Sequence, residues 1–176
     1  MTEERIASET VFDGRLLTVR VDTVKTPGGR ETSREVVEHP GAVGILPLTE
    51  DNRVILVRQF RYAVGRDLLE IPAGTREPEE TSEECAHREL EEEVGMRAGQ
   101  LGLMATFFVS PGWCNEELVI FRAWDLEPST ANPEDDEDLE VVIVSPEEIP
   151  QLIANGQIAD AKTLTSLTMY LATLRE

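Results

Sequence analysis

Three glutamates, Glu89, Glu92 and Glu93, recur at helical spacing in GTREPEETSEECAHRELEEEVGM, residues 74–96. At about 100° per residue they share one helix face, while Ala86, Leu90 and Val94 form an apolar stripe on another. Like charges at i, i+3 and i+4 destabilise a helix by about a few tenths of a kcal/mol per pair, so a cation belongs among them. A hard divalent ion, which takes oxygen ligands, meets that need. The spacing predicts a helix that begins near Pro78 and Glu79, where proline and acidic residues suit a first turn, and stops at Gly95.

The rest of the chain limits what such a carboxylate face could act on. At 176 residues the sequence suits one domain with a sizeable core and an added arm. A formal charge of -19 argues against a nucleic-acid backbone as partner, which would demand a basic patch. The same charge repels a free diphosphate, so a metal and local arginines must reverse the field at any phosphate site. Two cysteines, Cys85 and Cys114, make no disulfide framework, and a nucleophilic Cys114 would need His39 or His87 as its base. The start MTEERIASET has no basic and apolar leader, and no run is long enough to span a membrane, so the expected compartment is a reducing cytoplasm.

Strands must position the carboxylate helix. Residues 4–38 read as strands broken at Asp13-Gly14 and at Pro27-Gly28-Gly29, forming an arm without a full core of its own. GAVGILPLTE and NRVILVRQFRY read as a two-strand unit joined near Glu50-Asp51-Asn52. The second run carries Arg58 and Arg61 at its end; arginine forks suit phosphate oxygens, and such arginines also serve as plain surface charge. LGLMATFFVS, ELVIFRAWDLE and VVIVS are further strands, with a turn at Ser110-Pro111-Gly112 and a solvated acidic loop over residues 127–140. Ser145 and Glu148 predict a capping box for a short helix ending at Gly156. Asp160 caps a last helix whose Leu164, Leu167, Leu171 and Leu174 form a core stripe.

The spacing around the glutamates is more specific than their charge. Gly74, five residues, Glu80, seven residues, then Arg88-Glu89-Leu90-x-Glu92-Glu93-x-Gly95-Met96 resembles the Nudix box at every position, the signature of hydrolases of nucleoside diphosphates linked to a further moiety. SREVVEHPGAV, VRQFRY, LEIPAG, SPGWCNE, the DAKT start of the last helix, and Pro111 placed fifteen residues after Met96 resemble the ADP-ribose pyrophosphatase branch of that family. The resemblance implies an α/β fold, the Nudix α/β/α sandwich with a mixed sheet, over residues 39–176. It also implies an N-terminal antiparallel β arm, residues 1–38, that crosses to a second copy in a homodimer. In that frame Glu89, Glu92 and Glu93 with the carbonyl of Ala73 hold Mg²⁺, or Mn²⁺ or another divalent cation. Arg88 orients the carboxylates and Glu80 holds the loop. Arg58 and Arg61 clasp phosphate, Glu77 meets the terminal ribose, and Arg34, Glu35, Pro111 and Gly112 contact substrate. Glu116 or Glu92 handles the attacking water. The implied reaction is hydrolysis of ADP-ribose to AMP and ribose 5-phosphate. Two alternatives are a broad hydrolase of nucleoside diphosphate sugars, such as ADP-sugars and GDP-mannose, and a nucleotide sensor that binds without cutting. The intact set of Arg88 and three mutually repelling glutamates argues against the sensor.

Overall fold

The computed structural model describes residues 2–129 and 139–175. The acidic loop expected over residues 127–140 lies mostly outside them. The chain forms two compact units, Met1–Gly41 with Phe107–Glu117, and Ala42–Thr106 with Leu118–Glu176. Among the described residues no helix is long and apolar enough to cross a membrane.

In the first unit, β1 (Glu4–Asp13), β2 (Thr18–Lys25) and β3 (Glu31–Glu38) make an antiparallel sheet in that order. Gly29, at φ 82°, supplies the left-handed position that lets residues 26–30 close the second hairpin. Asp22 and Val24 on β2 are buried, whereas β1 is exposed along its whole length, including Ile6, Val11 and Phe12. The segment 107–117 docks on the end of β3: Trp113 O accepts from Val37 N (2.8 Å), and Asn115 N donates to Val37 O (3.1 Å).

The second unit holds two sheets. One is mixed, in the order β7 (Ala73–Thr75), β4 (Ala42–Pro47), β9 (Glu117–Pro128), β8 (Met96–Phe108), with β4 parallel to β9 and antiparallel to β7. The other runs β10 (Glu140–Val144), β5 (Val54–Arg61), β6 (Arg66–Glu70) and is antiparallel. Helix α1 (Ser82–Val94) packs on β4 and β7, with Cys85, Ala86 and Leu90 set against Val43, Ile45, Val119 and Phe121. Helix α3 (Ala161–Thr173) also packs on β4. The mixed sheet and its helices are the fold the sequence predicts.

Four local expectations change. The runs now forming β4 and β5 are not paired as a unit; a turn over 49–53 and one bridge, Leu48 to Val54, send them into different sheets. β4 is buried throughout and β5 over Val54–Val57, on both faces, which suits inner strands with separate neighbours. Helix α1 begins at Ser82, not Pro78, because Glu79 sits at φ 69° and breaks the helix, while Thr81 and Glu84 form a reciprocal capping box. Ser145 and Glu148 do bond (2.9 Å), yet they close a turn before α2 (Ile149–Ala154), whose cap residue Glu148 makes no side-chain cap. The buried face of α3 is Thr163, Ser166, Leu167 and Tyr170; Leu174 is exposed just past the helix. The polar members of that face are satisfied, Ser166 Oγ donating to Lys162 O (2.8 Å) within the helix and Tyr170 OH to the distant Asn52 O (2.7 Å).

Candidate active site

Two backbone features bring the carboxylates to β7. The capped start and the left-handed stop at Gly95 (φ 71°) fix the register of α1, and the apolar stripe holds that helix against the sheet. Glu89 and Glu93 are consequently buried at the helix–strand seam. Ala73 N donates to Glu93 Oε2 at 3.0 Å, and a methyl group on Gly74 would overlap the Glu89 carboxylate. Glycine at 74 is therefore what lets a carboxylate lie against the strand backbone.

Arg88 ties the cluster together. Its Nε and Nη2 donate to Glu80 (2.9 and 3.1 Å), its Nη1 to Glu89 Oε1 (2.6 Å) and Glu92 Oε2 (2.9 Å), and its Nη2 also to the carbonyl of Thr75 (3.3 Å). One guanidinium thus spans the loop, the strand and the helix. The hydrogen bonds from Arg88 hold the Glu80 carboxyl down at about 2, and Glu80 Oε2 also accepts from Glu77 N (3.0 Å). Glu80 closes the loop before α1.

Stability linked to Glu80 has a definite sign. A carboxyl depressed in the folded state from its usual 4.5 to about 2 stabilises fully above the ordinary carboxylate range, and the contribution is lost as pH falls toward 2. The melting-temperature gap between the native protein and Glu80→Gln should be constant above about pH 6 and close between about pH 5 and pH 2. A gap unchanged at the acid end would show that the ion pair is not its source.

Glu89, Glu92, Glu93 and the backbone at Ala73 offer hard oxygen donors, which fit a divalent cation such as Mg²⁺. Among the described residues no three carboxylate, imidazole or thiol groups form a ready ligand cage. Two of the carboxylates already spend an oxygen on Arg88, so a metal held there would share the cluster with the arginine. Thiol chemistry is poorly served at this seam, since burial pushes Cys85 up to about 12.

The other sequence-named residues fall into separate settings. Arg34, Glu35, Pro111 and Gly112 line one cavity of about 340 Å³ in the first unit, together with Phe108 and Trp113. Glu116 belongs to the same unit. Arg58, on the central strand β5, pairs with Glu140 on the edge strand β10 (2.8 Å). Arg61 is gripped by Glu70, Nε to Oε1 at 2.9 Å and Nη2 to Oε2 at 2.7 Å. Glu70 was not foreseen, although a lone acid inside the apolar run Leu68–Ile71 is a signal that a buried charge needs a partner. Lys162 and Asp160 complete that ion network from the start of α3, where the sequence pattern signals only a helix cap.

Comparison with known proteins places these features in company. Residues 38–167 match the model described as the NUDIX domain, and residues 3–37 match the nucleoside diphosphate sugar hydrolase N-terminal domain. The chain is 39% identical over 165 residues to an ADP-ribose pyrophosphatase of Bacillus subtilis (strain 168), covering 93% of this chain and 89% of that protein. It is 34% identical over 167 residues to a methanol dehydrogenase activator of Bacillus methanolicus, covering 94% and 90%. A solved structure titled as an ADP compounds hydrolase superposes with a TM-score of 0.89 at 26% identity, covering 99% of this chain and 95% of that one.

Proposed function

Because the chain belongs to the NUDIX family, we propose that its α1 carboxylate face hydrolyses the diphosphate bridge of ADP-ribose, giving AMP and ribose 5-phosphate. The chain is a pyrophosphohydrolase acting on ADP-ribose or nucleoside diphosphate sugars. The observation that carries the reading is the seam itself: two buried carboxylates laid against Ala73 and Gly74 and cross-tied by Arg88. When bound, a divalent cation, in this reading Mg²⁺, supplies positive charge to the diphosphate and acidifies the attacking water.

The chain's own residues do the rest. Glu89, Glu93, Glu92 and the Ala73 carbonyl hold the metal, and Arg88 keeps the carboxylates in one plane of approach. Arg61 clasps phosphate with the edge of its fork that Glu70 does not use, and Arg58 assists once its exposed pair with Glu140 opens. Glu77 meets the terminal ribose. Glu116, or Glu92 in its place, takes the proton from water as it attacks phosphorus; the bridging oxygen leaves with one phosphate, so one water is added and no covalent intermediate is needed. The cavity with Arg34, Glu35, Pro111, Gly112 and the ring of Trp113 suits a flat base with polar edges.

The arm over residues 1–38 takes part in a homodimer in this reading, supported by the apolar side chains that β1 leaves exposed at a sheet edge. The setting is the cytoplasm, where Cys85 and Cys114 remain free thiols. The charge of -19 fits a small substrate rather than nucleic acid.

The broader reading, hydrolysis of nucleoside diphosphate sugars generally, draws on the match of residues 3–37. A rate comparison on ADP-ribose, ADP-glucose, GDP-mannose and NADH with Mg²⁺ separates the two, with particle mass read by light scattering on the same sample. The expected result is a dimer whose kcat/KM is highest on ADP-ribose. A preference for GDP-mannose would overturn the substrate, and a monomer would overturn the arm's role.

A further inference from the structure

The ion network behind Arg61 is more elaborate than a buried carboxylate requires. Glu70 is 1% exposed and takes both Nε and Nη2 of Arg61 in a bidentate fork. Its Oε2 also pairs with Lys162 Nζ, which donates in turn to Asp160 Oδ1 at 3.1 Å. Asp160 Oδ1 caps α3 through Thr163 N (3.0 Å), and Thr163 Oγ1 accepts from Ile71 N (3.0 Å), one residue beyond Glu70. The strand bearing Glu70 and the helix bearing Lys162 are thereby tied twice.

Stability alone does not account for such an arrangement. Removing charges from water costs several kcal/mol per ion, roughly what the pairing returns, so an apolar trio of similar volume would hold the fold as well. What the charges add is orientation. A fork fixes the plane of a guanidinium as well as its position. Two of the three nitrogens of Arg61 are committed to Glu70, which leaves Nη1 outside the fork on a side chain that is 38% exposed. The charge of Glu93, on the carboxylate face, also acts on Arg61.

We propose that Glu70 and Lys162 are positioning residues for the reaction: Lys162 steadies Glu70, and Glu70 aims Arg61 at the phosphate. The inference rests on the reading that Arg61 contacts phosphate. Glu70 and Lys162 touch no substrate themselves, so their effect must pass through Arg61 and vanish without it.

A double-mutant cycle tests this on the full chain with ADP-ribose. Glu70→Gln, which keeps the side chain's shape, should lower kcat/KM by about 30-fold. Lys162→Met, the second variant should Glu70→Gln fold poorly, should lower it by about 5-fold. In an Arg61→Ala background each change should alter kcat/KM by less than about twofold. A merely structural role moves the melting temperature and not this coupling. If Arg61→Ala is impaired but the second change adds its full loss on top, the positioning role is overturned and the phosphate reading stands. If Arg61→Ala keeps native kcat/KM, the phosphate reading falls and takes the inference with it.

Discussion

Glu93→Gln should lower kcat by about 10³-fold while the protein stays folded. Glu93 is buried at the seam and its Oε2 accepts from Ala73 N, a bond that an amide oxygen can also accept. The substitution therefore keeps the packing of α1 on β7 and removes only the charge that would hold a cation. Steady-state kinetics beside a thermal melt checks both halves. Activity within about twofold of native would remove Glu93 from the metal-binding set.

Gly74→Ala is the complementary change, because it leaves every carboxylate in the sequence. Its new methyl group would occupy the space of the Glu89 carboxylate. That carboxylate is the far end of a flexible side chain, so it can swing away while Gly74 keeps its register opposite Val43. The expected outcome is a fall in kcat of about 10²-fold, with a stability loss of no more than about 2 kcal/mol. Full activity would mean that Glu89 works from elsewhere. A collapse of the fold would mean that the strand, and not the carboxylate, gives way.

The carboxylate face was legible because it is local. Glu89, Glu92 and Glu93 share a face by helical period alone, and Gly95 marks the stop wherever the helix packs. The start was not legible: proline at 78 is as good a first-turn signal as Thr81 followed three residues later by Glu84, and only the backbone at Glu79 decides between them. The separation of β4 from β5 was not readable, since two apolar runs joined by a turn look the same whether they pair with each other or with strands far along the chain. The partners of Glu70 were hidden for the same reason: an acid in an apolar run announces a missing cation, and nothing nearby says that Lys162 supplies it.

The distance between those partners also bears on how the protein is made. The seam of Ala73, Gly74, Glu89 and Glu93 is assembled from contacts at most 20 residues apart. Glu70 and Lys162 are 92 residues apart. At a synthesis rate of about 5–20 residues per second, Glu70 waits roughly 5 to 20 s for its lysine after leaving the peptidyl-transferase centre. Of the two basic partners that Glu70 has in the folded chain, Arg61 alone precedes it in synthesis. The contacts of α1 with β7 are available before α3 is made, whereas the pair of Glu70 with Lys162 closes only once α3 has emerged.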